Sequence, residues 1–352
     1  MLTHHAHGAD APRLIGPDEP RIAYMGRLDR RQPGRPRLGF PGITIRARFE
    51  GPSLAVRLDD TDGHSSFAVG IDGQNPSLLQ CERGPHDYEL ASNLAEGAHS
   101  VDIVKRTEAW QGVVTFLGLR LAPGRGLLEP TPWPSRRLLF IGDSVTAGEG
   151  VDRGPTCPKG QYGSSNAQGS YGMLLARALD AQCHLVACGG RGLIRDWQGR
   201  RDVLNAPQFF DLALPDEDEP RAVWDHAEYV PDAILVSLGT NDFNLSLGPL
   251  PEESEWVEAY VRFLRRIRKS YPLARVFVTE GAIVNDEGSP LKPRTTLRGY
   301  LDETVRQFGD PRVTHVESAH YPGDECDAHP TGAQHRLMAL DLEPVLREAL
   351  GW

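Results

Sequence analysis

The chain has 352 residues, 39% of them apolar and 24% charged, and a net charge of −10. That composition describes a soluble globular protein long enough for two domains or one large one. The acidic balance excludes a nucleic-acid backbone as the main partner, because phosphates need a basic footprint, and it suits a neutral substrate such as a sugar.

Residues 1–19 read as a disordered tail, and His4, His5 and His7 in it as solvated side chains rather than a metal site. The opening MLTHHAHGADAPRL has neither a basic n-region nor an apolar h-region. The expected location is therefore cytoplasmic, or secreted or periplasmic if a leader has been removed. No stretch is long and apolar enough to suggest a membrane span. The five cysteines, Cys81, Cys157, Cys183, Cys188 and Cys326, form no CxxC pair and no zinc spacing, and are expected to be free or incidental thiols.

Residues 20–124 are read as one domain, and over 20–121 apolar and polar side chains alternate at period two. Examples are 43-ITIRARF-49, 53-SLAVRL-58, 66-SFAVGID-72, 99-HSVDIVKR-106 and 113-VVTFLGLRL-121, separated by Gly, Pro, Asp and Asn. Short strands at this spacing predict an antiparallel β-sandwich. The acidic run Asp59-Asp60-Thr61-Asp62-Gly63 lacks the late Glu of a calcium loop and reads as a solvated hairpin. Residues 125–137, within the Pro- and Gly-rich 122-APGRGLLEPTPWPSRR-137, are the expected linker.

From residue 138 to 352 the period changes. Apolar strands at 138–142, 183–188, 233–239 and 275–281 alternate with amphipathic stretches at 169–181, 252–269, 294–308 and 332–350. This predicts a mostly parallel sheet with helices on both faces, whose ligands bind at the carboxyl ends of the strands. Three strand ends carry polar chemistry: Gly142-Asp143-Ser144, Cys188-Gly189-Gly190-Arg191-Gly192 and Gly239-Thr240-Asn241-Asp242. Cys326-Asp327-Ala328-His329-Pro330 precedes the last helix.

These are the parts of an acyl-transfer site. A serine hydroxyl is a weak nucleophile and needs a base within hydrogen-bond reach. His329 supplies one near its working pH, and Asp327 is the nearest acceptor to orient it. The N–H groups of Ser144 and Gly190 and the amide of Asn241 are candidate oxyanion donors, with Gly192 as runner-up to Gly190. Singly, each has a plainer reading. Asp143 and Ser144 could cap a helix, Asn241 and Asp242 could make a turn, and His329 could be a helix-entry residue, with His335 competing for its role. Asp242 reads as a loop-holding residue. Ser144 does not lie in G-x-S-x-G, so the α/β-hydrolase elbow is not the template.

In this order, GDS, a glycine block, GTND and a late Asp/His pair, the sequence resembles the SGNH (GDSL-type) hydrolases. Over residues 20–350 it resembles their carbohydrate esterase family 2. The matching pieces are 25-MGR-27, 69-VGIDG-73, 104-VKRTE-108, 138-LLFIGDSVTAGEG-150, 190-GRGL-193, 231-PDAILVSLGTNDF-243 and 326-CDAHP-330. The resemblance implies an N-terminal jelly roll joined to a three-layer flavodoxin-like SGNH domain. It also implies a metal-independent, cofactor-free serine esterase acting on an acetylated carbohydrate, often at a primary 6-hydroxyl. Ser144 would be nucleophile and His329 base, with Ser144, Gly190 and Asn241 forming the oxyanion hole.

Cys326 stands where the wider family has an aspartate. Asp327 fits the subfamily's Asp-x-His pattern, in which a backbone carbonyl is the alternative orienting group. Glu149 and Ala328 occupy places where the subfamily often has aromatics, which implies a more open acceptor pocket or one tuned to a different sugar. Trp197, Trp224 and Tyr171, and also Tyr162, are candidate sugar-stacking residues, with ordinary packing the plainer reading for each one alone. The alternatives are another SGNH activity, lipase or acyl-thioesterase, and a carbohydrate-binding protein with a vestigial esterase domain. Glycan identity and oligomeric state are not legible.

Overall fold

Period-two alternation turns one face of each N-terminal strand toward a common core. The computed structural model describes residues 13–154, 163–215 and 220–352. Its N-terminal strands are β1 (Leu14–Ile15), β2 (Ile22–Met25), β3 (Arg37–Leu38), β4 (Thr44–Glu50), β5 (Leu54–Asp60), β6 (Ser66–Ile71), β7 (Ser77–Gln80), β8 (Gly84–Ala91), β9 (Ala98–Lys105), β10 (Val114–Leu121) and β11 (Leu127–Leu128). They form two antiparallel sheets. One runs β1-β10-β5-β8 with β3 also on β10, the other β11-β4-β9-β6-β7 with β2 on β4. Ile45, Phe49, Val56, Phe67 and Phe116 fill the core that the two sheets share.

Two boundaries differ from expectation. β1 lies in the stretch read as tail and pairs with β10, and β11 lies in the stretch read as linker and pairs with β4. Two-residue strands carry too little alternation to be read. The acidic hairpin differs too. Asp60 is buried and accepts from the Ser65 N–H at 2.9 Å and the Ser65 hydroxyl at 3.1 Å. His4, His5, His7, Cys157 and Tyr162 lie outside the described residues. Cys81, Cys183 and Cys188 are free thiols. Cys326 is disulfide-bonded, which corrects the expectation that all five cysteines are free.

The second half contains β12 (Arg136–Gly142), α1 (Ser144–Ala147), α2 (Tyr171–Ala178), β13 (Ala181–Ala187), α3 (Ala206–Phe209), β14 (Ala233–Ser237), α4 (Glu253–Ser270), β15 (Arg275–Thr279), α5 (Pro293–Phe308), β16 (Val313–His315) and α6 (Gly332–Leu350). The five strands are parallel in the order β13-β12-β14-β15-β16. Side chains of β12 alternate between two cores. Leu138 and Phe140 pack with residues of α2 and α6, and Leu139 and Ile141 with residues of α4 and α5. That makes three layers. The strand order reverses direction at β12, so the crevice of a doubly wound sheet falls at its carboxyl end, where Ser144 follows.

The two halves share one continuous core. Arg27, buried, donates to the carbonyls of Phe210 and Leu212, at 2.5 and 3.0 Å. The Gly26 N–H donates to His184 Nε2 at 2.9 Å. Arg106 reaches Asp152 and the Ser165 carbonyl. No described helix is long and apolar enough to cross a membrane.

Candidate active site

β12 delivers Ser144 as the first residue of α1. Asp143 caps that helix by accepting from the Val145 N–H at 3.0 Å, and burial raises its carboxyl to about 6. Gly142 has no room for a side chain, since a Cβ there would run into Thr146. The turn therefore closes tightly and holds Ser144 at the strand end.

Ser144 Oγ lies 2.8 Å from His329 Nε2, and His329 Nδ1 lies 2.8 Å from Asp327 Oδ1. Asp327 Oδ1 also accepts from the His329 backbone N–H at 3.1 Å. Asp327 thus fixes both the ring and its backbone, which leaves Nε2 to face the hydroxyl. The hydrogen bond from His329 holds the Asp327 carboxyl down to about 2. Burial works against a charged His329. The hydrogen bond with Asp327 and the charges of Glu149, Asp327 and Asp143 outweigh it, and its pKa lies above the ordinary value.

The segment carrying this pair is locally constrained. Gly323 has φ +73°, and a Cβ there would enter the Asp327 and His329 carbonyls. Arg153 reaches the His329 carbonyl, Asp324 Oδ2 at 3.0 Å and Asp327 Oδ2 at 3.5 Å. Thr331 and Gln334 form a capping box that starts α6 two residues after His329. His335 is a buried acceptor from the Tyr171 N–H at 3.1 Å, pushed down to about 3 by burial, and takes no part in the hydrogen-bonded chain.

Gly190 follows β13 at φ +72°, and a Cβ there would come within 2.5 Å of Trp197. Both facts require glycine. The preceding residue, Gly189, donates its N–H to the buried carboxylate of Glu108. Asp242 accepts from the N–H groups of Leu193, Ile194 and Arg195 at 2.8, 2.9 and 3.2 Å, which shapes the rest of the loop. Asn241 uses one amide hydrogen on the Arg191 carbonyl at 2.8 Å. Among the described residues, the amide's other hydrogen-bond contact is a long 3.5 Å approach to Asp143. Ser144, Gly190, Asn241 and His329 all line one cleft of about 460 Å³.

The aromatic candidates divide. Trp197 lines the cleft and is 53% exposed. Trp224 is buried beneath the Arg27 guanidinium, 5.2 Å from its ring centre, and does not line the cleft. Tyr171 is buried with its hydroxyl 2.8 Å from Thr146. These two placements are the ordinary packing that was the plainer reading, not sugar stacking. Tyr171 opens α2 and stacks on His335, while Trp224 lies outside the named helices and strands, edge-on to His184.

Trp110, 46% exposed, lines the cleft and went unread in the sequence. It sits with Glu108 and Ala109 on a turn of the sandwich. The buried Lys105 ammonium fixes that turn by donating to the Thr107 and Glu108 carbonyls at 2.7 and 3.3 Å. The VKRTE segment flagged this turn without revealing a role. Among the described residues, Glu149, Asp327 and His329 bring ligand atoms within 4.8 Å of one another, so a cation could be held there only by occupying His329.

A doubly wound sheet with a Ser-His-Asp chain at its reversal point has the form of a GDSL-type hydrolase, and the GDSL-like lipase/acylhydrolase family model matches residues 140–337. The carbohydrate esterase 2 N-terminal model matches residues 24–132. An acetylxylan esterase / glucomannan deacetylase of Cellvibrio japonicus is 38% identical over 96% of this chain and 91% of its own. The solved structure of a family two carbohydrate esterase from the same organism superposes with a TM-score of 0.91 at 36% identity, covering 97% of this chain and 99% of that one. A family two carbohydrate esterase from Clostridium thermocellum, solved in complex with cellohexaose, gives 0.85 at 30% identity, over 94% and 99%. The chain belongs to carbohydrate esterase family 2, and so to the esterases.

Proposed function

We propose that the protein removes acetyl groups from carbohydrate hydroxyls through a serine acyl-enzyme. The observation that carries this is the hydrogen-bonded chain Ser144–His329–Asp327 in a cleft walled by two exposed tryptophans. Ser144 Oγ attacks the acetyl carbonyl while His329 Nε2 takes its proton. The N–H groups of Ser144 and Gly190 and the Asn241 amide receive the oxyanion. His329 then protonates the leaving sugar oxygen. Water, deprotonated by the same nitrogen, frees acetate. Of the two orienting groups considered for His329, the 2.8 Å contact favours Asp327 over a backbone carbonyl.

The indole faces of Trp110 and Trp197 suit the apolar faces of sugar rings. The activities for which the relatives are named, acetylxylan esterase and glucomannan deacetylase, support xylo-, gluco- or manno-type substrates. The disulfide at Cys326 supports the secreted or periplasmic alternative over the cytoplasmic one, since disulfides persist in oxidising compartments.

The test is acetate release from acetylated xylan, acetylated glucomannan and mono-acetylated glucosides by wild type and Ser144→Ala. Release by the wild type alone is expected. Ser144-dependent cleavage of longer acyl esters without release from any sugar would move the reading to lipase or thioesterase.

A further inference from the structure

Glu149 lines the cleft beside Ser144 and His329. Its Oε2 lies 3.6 Å from His329 Nε2, the same nitrogen that faces Ser144 Oγ at 2.8 Å. The side chain is only 15% exposed and lines the cleft. Among the described residues its carboxylate accepts no hydrogen bond, although its backbone is tied down by the Glu149 N–H donating to the Ser144 carbonyl at 3.0 Å. The carboxylate is half-buried and borders the space that substrate must fill, where a hydroxyl donor can reach it.

The leaving oxygen of the ester must come within hydrogen-bond reach of His329 Nε2, because that nitrogen protonates it. A hydroxyl on the neighbouring sugar carbon then lies about one hydrogen-bond length further on, beside Glu149 Oε2. We infer that Glu149 is a specificity-determining residue that accepts a hydrogen bond from the sugar hydroxyl adjacent to the scissile acetyl ester. Resting on the deacetylase reading above, this names the preferred substrate class as neutral sugars acetylated at a secondary hydroxyl beside a free one; a 6-O-acetyl hexose, whose C5 carries the ring oxygen, has no such neighbour.

The other charged groups near this space are Asp327 and Asp143 around His329, and Glu108 and Arg191 in the cleft lining, Arg191 lying 3.9 Å from Asp196. Burial, then the charge of Glu149, raises the Glu108 carboxyl to about 7. Among the described residues the ion-pair partner of Glu149 is His329 at 3.6 Å, whose Nε2 is engaged by Ser144, so a close donor to the carboxylate is left to the substrate.

The experiment compares methyl glucosides and xylosides mono-acetylated at a secondary hydroxyl with analogues whose neighbouring hydroxyl is methylated, in wild type, Glu149→Leu and Glu149→Gln. A hydrogen bond to a charged acceptor predicts a wild-type kcat/KM preference of about 10- to 100-fold for the free hydroxyl. Glu149→Leu should bring the ratio close to one. Glu149→Gln, a neutral acceptor, should keep a few-fold preference. The acid limb of the pH profile should move to lower pH in both, since a negative charge beside His329 is gone.

An unchanged ratio in either variant, or a wild-type ratio near one, overturns the inference while leaving Ser144-dependent acetate release intact. Should Glu149→Leu fail to fold, Glu149→Gln decides through its reduced ratio and shifted limb. No acetate release from any sugar by the wild type overturns the deacetylase reading, and this inference with it.

Discussion

The hydrogen bond between His329 and Asp327 sets both the pH range and the rate of the proposed chemistry. A base works as neutral imidazole, and the raised His329 pKa puts the acid limb of kcat/KM above the ordinary histidine value of about 6.5. Asp327→Asn should lower the rate by about 100-fold or more and move that limb to lower pH. A pH–rate series on a small acetate ester checks both. Asn241→Ala should cost on the order of 100- to 1000-fold in kcat with little change in KM, the pattern of a donor used in the transition state. At this scale the sequence singled out Ser144, His329, Asp327, Gly190 and Asn241, which the fold brings together, because acyl transfer demands those residue types and the resembled family keeps them in one order along the chain. It hid Trp110, Glu108 and Arg153. Their side chains act on the site from remote stretches, and nothing in their neighbours' spacing encodes that approach.

Between strands and helices, the turn before α6 decides whether the base is in place. Gly323 at φ +73° lets the segment curl so that its Cα faces the Asp327 and His329 carbonyls. Gly323→Ala should strain it by about 1–3 kcal/mol. The expected result is a kcat loss of at least about 10-fold with a fall of only a few degrees in Tm, read by kinetics and calorimetry on one preparation. The long elements were legible. α4 spans 253–270 against an expected 252–269, and α6 matches its expected 332–350. Their apolar stripes repeat over several turns, which a single misleading residue cannot erase. β8 (Gly84–Ala91) was not. It carries Pro85, exposes alternate side chains and pairs with β5, so it reads as loop until a partner strand supplies the hydrogen bonds. β16 has three residues and follows the long helix α5, and it too gives no period to read.

For the molecule as a whole, MGR and VKRTE, two segments that marked the resemblance, lie at the seam between the halves. Met25 Sδ accepts from the Cys183 N–H at 3.2 Å, and Arg27 inserts its guanidinium among Trp224, Phe210 and Phe40 while feeding two carbonyls of the second half. Arg27→Met removes both donors and leaves those carbonyls buried, at a cost of about 2–4 kcal/mol. Calorimetry should show one unfolding transition in wild type and variant, several degrees lower in the variant. Two separated transitions would mean that the halves are independent.

The turn at 108–110 reaches across that seam to wall the cleft, while the nucleophile, base and orienting acid all belong to the other half. The reacting groups and part of the surface that greets the sugar are therefore inherited on different stretches of chain. Variation in a single sandwich turn could retune which glycans are accepted without disturbing the machinery that cleaves them, and a transplanted turn would carry its preference with it.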